Sequence, residues 1–208
     1  QQEIKFDQVL NKTTKAEIVD KAALASEGGF VVYGGITPLP DSNSSLTFNA
    51  VNVKSNGNNG WTYDNKRYWN KTATYNFYAI APYNPVNGSY SFANTGKFSI
   101  TDAKSALATE SDDFLIDRDG DTGISGAAPE IVTFDFHHIM AKVAFFVKKS
   151  EDITEKITIN SLTMTGWNAG SGNFTQKLTA TPTTLEHSEW DIPTTEDGEA
   201  SVISTDKV

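Results

Sequence analysis

The chain of 208 residues carries a formal net charge of −9 and contains no cysteine. Such a charge repels nucleic-acid backbones and anionic lipid surfaces, so neither is a predicted partner. Without cysteine, the chain has no disulfide, no thiolate metal site and no cysteine nucleophile. The longest apolar run, at 139–147, is interrupted by Lys142, and no transmembrane segment is therefore predicted.

The composition favours a β-rich extracellular domain over a helical cytosolic enzyme. Charged residues make up only 21% of the chain, while Asn, Thr, Ser and Gly are abundant. The chain begins at Gln1 without an apolar leader, which is typical of a processed or trimmed product. We therefore expect a protein that works outside the cell.

Alternating apolar residues predict the first strand at 3–10, EIKFDQVL, where Ile4 and Phe6 share one face as the two-residue period of a strand requires. Residues 18–29 form either a short helix or a loop that ends at a glycine pair. Strands are predicted next at 30–36 and 46–53, separated by a turn-forming cluster with two prolines.

The segment 61–85 is the densest aromatic stretch, with two of the four tryptophans and five of the seven tyrosines. A hairpin is predicted at 61–69 around the turn at Asp64 and Asn65. The following strand, at 72–81, places four apolar side chains on one face. These side chains are Tyr75, Phe77, Ala79 and Ala81.

The second half of the chain continues the pattern of short strands. One or two are predicted at 88–100, then a single helical turn at 103–110, core strands at 131–136, 139–147 and 157–164, and a glycine-rich hairpin turn at 167–174. About ten such strands without alternating helices predict an all-β sandwich of Greek-key type. We predict one domain at 1–182, with 183–208 as a linker or the truncated start of a second β-domain.

Two groups of residues are candidate metal ligands. Asp117, Asp119 and Asp121 alternate around a glycine, an arrangement that suits calcium, although the loop departs from the EF-hand pattern. A solvated acidic turn is the alternative. His137 and His138 are adjacent in a predicted strand and point to opposite faces, so a structural role is favoured over zinc binding.

No nucleophile and base pair is evident, so the chain is not predicted to be an enzyme and no cofactor is expected. A pair of carboxylates for glycoside cleavage stays open, because their separation in space is not visible in a sequence. The aromatic rings of Tyr63, Tyr68, Trp69 and Tyr78 suit a carbohydrate-binding platform. The alternative is that these rings are core residues of half-buried strands.

Several short motifs occur in a characteristic order along residues 1–165. They are IKF near the start, W-x-Y followed by YW at 61–69, YNFYA leading to AP at 75–82, DFL at 113–115 and FHHIMAKV at 136–143. In this order and spacing the chain resembles the fimbrillin-like proteins of Bacteroides-type bacteria, the subunits of type V pili.

The resemblance implies a structural subunit of a cell-surface fimbria that mediates adhesion. It implies two transthyretin-like β-sandwich domains, of which this chain holds the N-terminal one, and a lipoprotein precursor anchored at the outer membrane. The implied partners are other fimbrial subunits, together with glycans or proteins on host or bacterial surfaces.

The resemblance further implies assembly by strand exchange. An arginine-directed protease removes the first strand, and a neighbour's strand fills the groove by β-strand addition. Here residues 1–15 are the candidate removable segment, and Ile4, Phe6 and Val9 are the side chains that would leave pockets. The basic residue at the junction is Lys15, so either a lysine-specific enzyme cuts at Lys12 or Lys15, or the strand stays in place.

Overall fold

The computed structural model describes residues 1–10, 18, 20–104, 112–117, 120–140, 148–159, 163–167, 171–176, 190–191 and 198–201. Within them the protein is all-β apart from one short helix, α1 at Lys21–Ser26, and a 3-10 turn at Asn43–Ser45. The strands are β1 Lys5–Leu10, β2 Phe30–Ile36, β3 Phe48–Ser55, β4 Trp61–Thr62, β5 Thr74–Ala81, β6 Ser89–Ala93, β7 Lys97–Lys104, β8 Leu115–Asp117, β9 Asp121–Ser125, β10 Ile131–His138, β11 Thr163–Trp167, β12 Ser171–Thr175, β13 Trp190–Asp191 and β14 Gly198–Ser201.

The largest sheet has the strand order β1-β10-β8-β5-β2-β3-β4, with β9 also paired to β5. All of its ladders are antiparallel except the one between β1 and β10, which is parallel. The first strand of the chain therefore lies at one end of this sheet, beside a strand formed much later in the sequence.

The two ends of the large sheet curl towards each other. The N–H of Ile4 donates to the carbonyl of Arg67 at 2.9 Å, and the N–H of Trp69 donates to the carbonyl of Gln2 at 3.0 Å. Glu3 and Tyr68 form an antiparallel bridge between these two bonds. The segment that follows β4 thus pairs with the residues that precede β1, and the sheet encloses a core.

Strand β5 is buried on both faces, as the sequence pattern predicts for one of them. Tyr75, Phe77, Ala79 and Ala81 lie in the enclosed core, which is rich in phenylalanine. Ile80 belongs instead to a second core on the opposite face of the sheet. Alternate side chains of β5 therefore contribute to two hydrophobic cores on opposite faces of the sheet.

The second core lies between the large sheet and a four-stranded sheet with the order β13-β12-β7-β6. Phe98 and Ile100 from β7 and Phe174 from β12 are fully buried there against Ile80 and Ile116 of the large sheet. This packing makes the protein sandwich-like, and a two-stranded sheet of β11 and β14 accompanies it. The finer transthyretin-like Greek-key topology stays a prediction.

The short helix predicted within 18–29 is present as α1. Asp20 caps its first turn, because one carboxylate oxygen accepts the N–H of Ala23 at 2.8 Å, as N-cap residues commonly do. Leu24 is fully buried in the enclosed core. Lys21, the first residue of the helix, lies 3.0 Å from Asp7 of β1, so the helix begins beside the first strand.

Two predicted hairpins are wrong. Trp61–Thr62 pairs with β3, whereas residues 67–69 pair with residues 2–4, so the strand-like pattern at 61–69 serves two different partners. At 167–174, β11 pairs with β14 and β12 pairs with β7 and β13. Local turn signals do not reveal long-range pairing, which decides both cases.

Other boundaries also differ from prediction. Ala103 and Lys104 belong to β7 and not to a helical turn, and residues 105–110 of the predicted turn lie outside the described residues. Residues 157–159 are not in a strand, and the side chain of Ile157 is exposed. Most of the predicted strand at 139–147 also falls outside the described residues. Strand β9 was not predicted, because its acidic and glycine-rich sequence is typical of a loop.

Candidate functional site at the first strand

Strand β1 forms part of the wall around the enclosed core. Its six residues pair in parallel register with β10, from Lys5 opposite Ile131 to Leu10 opposite Phe136. The residues before β1 pair on its other side with 67–69. The first segment of the chain therefore fills a gap between two elements that are far from it in sequence.

Phe6 is the side chain that fixes β1 to the core. It is 5% exposed, and its ring lies edge-on to those of Phe48 and Phe77, with centroid separations of 5.1 and 5.5 Å. Tyr63 and Phe134 complete the surrounding cluster at 5.6 and 5.7 Å. Contacts of this kind add to the stabilisation from burying an aromatic side chain.

Ile4 and Phe6 are buried as predicted for a strand face, but Val9 is not. The side chain of Val9 is 52% exposed, because residue 9 lies on the opposite face of the strand from residue 6 and points away from the core. Gln8 and Leu10 occupy the inward positions instead, and Leu10 packs against the core. The prediction that Val9 would vacate a pocket is therefore wrong.

Tyr63 contacts the first segment at a second point. Its hydroxyl donates to the carbonyl of Ile4 at 2.7 Å, and burial raises the pKa of the Tyr63 hydroxyl. Next to it, the ammonium of Lys66 lies 2.9 Å from a carboxylate oxygen of Glu3. The residues after β4 thus hold both the backbone and a side chain of residues 3–4.

The outer side of β1 is occupied by charged groups. One carboxylate oxygen of Asp7 accepts the N–H of Gln8 at 2.9 Å and the ammonium of Lys21 at 3.0 Å. Both side chains are partly exposed, so this ion pair contributes little to stability. It does cover a backbone donor that an exposed edge would otherwise offer to another strand.

The chain is anchored again directly after the predicted cleavage region. Ile18 is 1% exposed, and its N–H donates to one carboxylate oxygen of Asp113 at 2.9 Å. The other oxygen of Asp113 lies 2.8 Å from Nδ1 of His138. Residues 11–17, which include Lys12 and Lys15, lie outside the described residues, between two anchored points.

The four rings proposed as a carbohydrate platform do not lie on one surface. Tyr63 and Trp69 are each 3% exposed in the enclosed core, and Tyr78 is buried in the second core. Tyr68 is half exposed and lines an open groove of about 850 Å³ together with Lys71 and residues 1–2. Strand alternation therefore separates most of these rings into two cores.

The acidic residues proposed for calcium are placed only in part. Asp119 lies outside the described residues, while Asp117 is buried and its carboxylate accepts the N–H of Gly120 at 3.2 Å. The side chain of Asp121 is half-buried, and burial together with the nearby charge of Glu130 raises its pKa to about 6. Among the described residues, no group of three or more possible ligands surrounds one point, and calcium binding stays a prediction.

Gly120 has a structural role in this acidic turn. Its φ angle is +64°, and a Cβ atom there would lie 2.6 Å from the carbonyl oxygen of Phe77 and 2.4 Å from the ring of Tyr78. Only glycine fits such a backbone conformation and such a close approach. The glycine that suggested a metal loop is thus explained by packing against β5.

The two adjacent histidines contact different groups. His138 is bonded to Asp113, as described above, and Nε2 of His137 lies 3.6 Å from a carboxylate oxygen of Asp135. Sequence reasoning assigned them structural roles but did not identify Asp113 as the link to Ile18. In the sequence, Asp113 stands out only as part of the DFL motif at 113–115, and no sequence signal joins residues so far apart.

These observations define an all-β, sandwich-like protein whose first strand completes the wall of an aromatic core. A sequence model of the fimbrillin-like family matches residues 19–206, which is most of the chain. The chain therefore belongs to the fimbrillin-like family. The matched region begins after the first strand and its linker.

One solved structure supports the same fold. A fimbrial protein from Bacteroides vulgatus is similar with a TM-score of 0.61 at 15% sequence identity, over 97% of this chain. The chain spans 65% of the length of that protein. No curated protein matches the sequence. Within the described residues, no helix is long and apolar enough to cross a membrane.

Proposed function

We propose that the protein is a structural subunit of a cell-surface fimbria and joins its neighbours by β-strand addition. Membership of the fimbrillin-like family supports a fimbrial, non-enzymatic role. The observation that carries the mode of assembly is the position of Phe6, on a terminal strand and inside a cluster of four other rings.

Loss of β1 would expose a hydrophobic groove. The inner side chains of β10, Val132, Phe134 and Phe136, now lie at or below 1% exposure, and Phe134 would lose its contact with Phe6. The backbone of β10 would also lose its parallel partner. A strand from another subunit restores both the main-chain bonds and the apolar contacts, which is the physical basis of strand addition.

The anchors on either side of residues 11–17 support this segment as the site of processing. A cut there would separate β1 from Ile18 without breaking the contact between Ile18 and Asp113. Lys12 and Lys15 are the basic residues within the segment. Cleavage at one of them by a lysine-specific enzyme therefore ends the covalent linkage of the first strand, which can then be exchanged, and leaves the remaining fold anchored.

The wider assignment follows from the family. The subunit is secreted as a lipoprotein precursor, held at the outer membrane or in the fimbria, and takes part in adhesion to surface glycans or proteins. Residues 1–182 belong to a transthyretin-like N-terminal domain, and 183–208 are a linker or the start of a second β-domain. The pairing of β13 with β12 and of β14 with β11 favours a close association of this tail with the first domain. The net charge of −9 argues against nucleic acid as a partner.

The test uses a chain in which residues 11–17 carry a site for a specific protease. After cleavage, the first segment should remain bound and then exchange with a labelled synthetic peptide of residues 1–10. A chain lacking residues 1–15 should bind that peptide or form oligomers, measured by fluorescence anisotropy and light scattering. If the shortened chain stays a stable monomer that accepts no peptide, the proposal is wrong.

A carbohydrate-binding role is the second candidate. It is favoured by Tyr68, whose half-exposed ring lines the groove beside Lys71, since exposed aromatic rings stack on the apolar faces of sugars. Glycan-array binding that is lost in Tyr68→Ala and kept in Tyr68→Phe would support it. Equal binding by both variants would contradict it.

A further inference from the structure

One inward position of the first segment carries a polar residue. Ile4, Phe6 and Leu10 are apolar and pack on the enclosed core, whereas residue 8, on the same face by strand alternation, is Gln8. The side chain of Gln8 is only half-buried as a whole, but its Oε1 atom is shielded from solvent and has no hydrogen-bond partner among the described residues.

An amide oxygen in this state lowers the stability of the strand that carries it. It gives up its bonds to water and gains none in return, a loss larger than the average benefit of a hydrogen bond. Gln8 also lies opposite Phe134 in the parallel register, and Phe134 is fully buried in the aromatic cluster. The groove therefore offers an apolar environment at a position where β1 supplies an amide.

We propose that Gln8 makes β1 the weaker occupant of its own groove. The groove favours a strand from another fimbrial subunit that carries an apolar residue in place of Gln8, between residues equivalent to Phe6 and Leu10. This inference rests on the proposed strand addition. The inference also gives the exchange a direction. The resident strand is retained before cleavage by its covalent linkage, and after cleavage the better-fitting strand of another subunit displaces it.

Covalent linkage is enough to retain a suboptimal strand. A tethered segment rebinds at an effective concentration of about millimolar, whereas a cleaved segment is diluted into the surroundings. A modest difference in affinity therefore has little effect before cleavage and a large one after it. Gln8 sets the size of that difference.

The first experiment replaces Gln8 in the intact chain. Gln8→Leu removes the unpartnered oxygen and leaves in place the hydrogen bond that the N–H of residue 8 donates to the carboxylate of Asp7. We expect the equilibrium constant for unfolding, from denaturant titration, to fall at least about tenfold. Lys5→Leu is the matched control, because it makes a similar change at an exposed, outward position of the same strand. An equal gain in both variants, or no gain in Gln8→Leu, overturns the inference.

The second experiment measures competition for the groove. Two labelled peptides, QQEIKFDQVL and the same peptide with the Gln8→Leu change, are offered to the chain cleaved within 11–17. We expect the leucine peptide to displace the resident segment at a concentration at least about tenfold lower. Exchange of both peptides with equal potency overturns the inference while the proposed function stands. If neither peptide exchanges, the proposed function fails and the inference with it.

Discussion

The hydroxyl of Tyr63 donates to the carbonyl of Ile4 at 2.7 Å, while the ring of the same tyrosine packs against Phe6 with a centroid separation of 5.6 Å. One side chain outside β1 therefore contacts both the backbone and a core residue of the first segment. The interaction couples the segment after β4 to the part of the chain that we propose to be exchanged.

Tyr63→Phe should weaken the attachment of the first segment. The change leaves the ring in place but removes the donor to the Ile4 carbonyl, which is buried, so we expect a loss of about 1 kcal/mol in the free energy of unfolding. Denaturant titration measures the loss. Tyr68→Phe is the control, since that side chain is 49% exposed, and it should change little. Equal effects of the two variants would contradict a specific role for Tyr63.

Phe6→Ala should cause the largest loss in β1. The substitution leaves a cavity among four aromatic rings, and such cavities cost about 3–5 kcal/mol. Val9→Ala, at an exposed position of the same strand, should cost less than about 1 kcal/mol. Chemical denaturation of both variants measures these losses in the free energy of unfolding. A small effect of Phe6→Ala would mean that β1 is not integral to the core.

Asp113→Asn should loosen the anchor after the linker. Asn offers only one oxygen where Asp113 receives the N–H of Ile18 and contacts His138, so a charge-assisted bond worth about 1.5–3 kcal/mol is lost. Proteolysis kinetics near residue 18 and the unfolding midpoint should both report the change. Asp135→Asn affects an exposed carboxylate 3.6 Å from His137, and its expected effect is small.

Asp121 should make the protein less stable as pH rises towards neutrality. Its folded pKa is about 6 against a usual value of 3.8, so the folded state retains the proton over this range while the unfolded state loses it. The penalty is absent below pH 4, grows between pH 4 and 6, and is constant above. After allowance for the exposed part of the group, it amounts to about 1 kcal/mol.

Asp121→Asn removes this titration. The variant should match the parent near pH 4 and be more stable near pH 7.5, as measured by unfolding midpoints across the pH range. Glu130→Gln is a useful companion, because the charge of Glu130 contributes to the raised pKa of Asp121 and its removal should give a smaller change in the same direction. A pH profile unchanged in Asp121→Asn would exclude Asp121 as the cause.

Local features of the fold were predictable from the sequence. The two-residue period placed Tyr75 and Phe77 on one face of a strand, and both lie in the enclosed core. The same period, applied consistently, would have placed Val9 outside, since it differs in parity from Ile4 and Phe6. An apolar side chain does not by itself make a strand position inward, because alternation decides which face a residue occupies.

Long-range pairing was not predictable in the same way. The parallel ladder of β1 with β10 and the bonds of residues 67–69 to residues 2–4 depend on which distant segments meet, and no local signal encodes this. Tyr63 was predicted as part of a sugar platform because exposed and buried aromatic residues look alike in a sequence. Its contact with Ile4 became visible only in three dimensions.

The parallel ladder also determines when the first strand can dock. Lys5 is synthesised early, but its partner Ile131 follows only after most of the large sheet, and contacts between such distant segments form slowly. During synthesis and folding, the strands from β2 to β8 can therefore assemble while the first position in the wall is vacant. We expect each newly made chain to pass through a state that resembles the cleaved one, in which the position of the first strand in the wall is open to another strand.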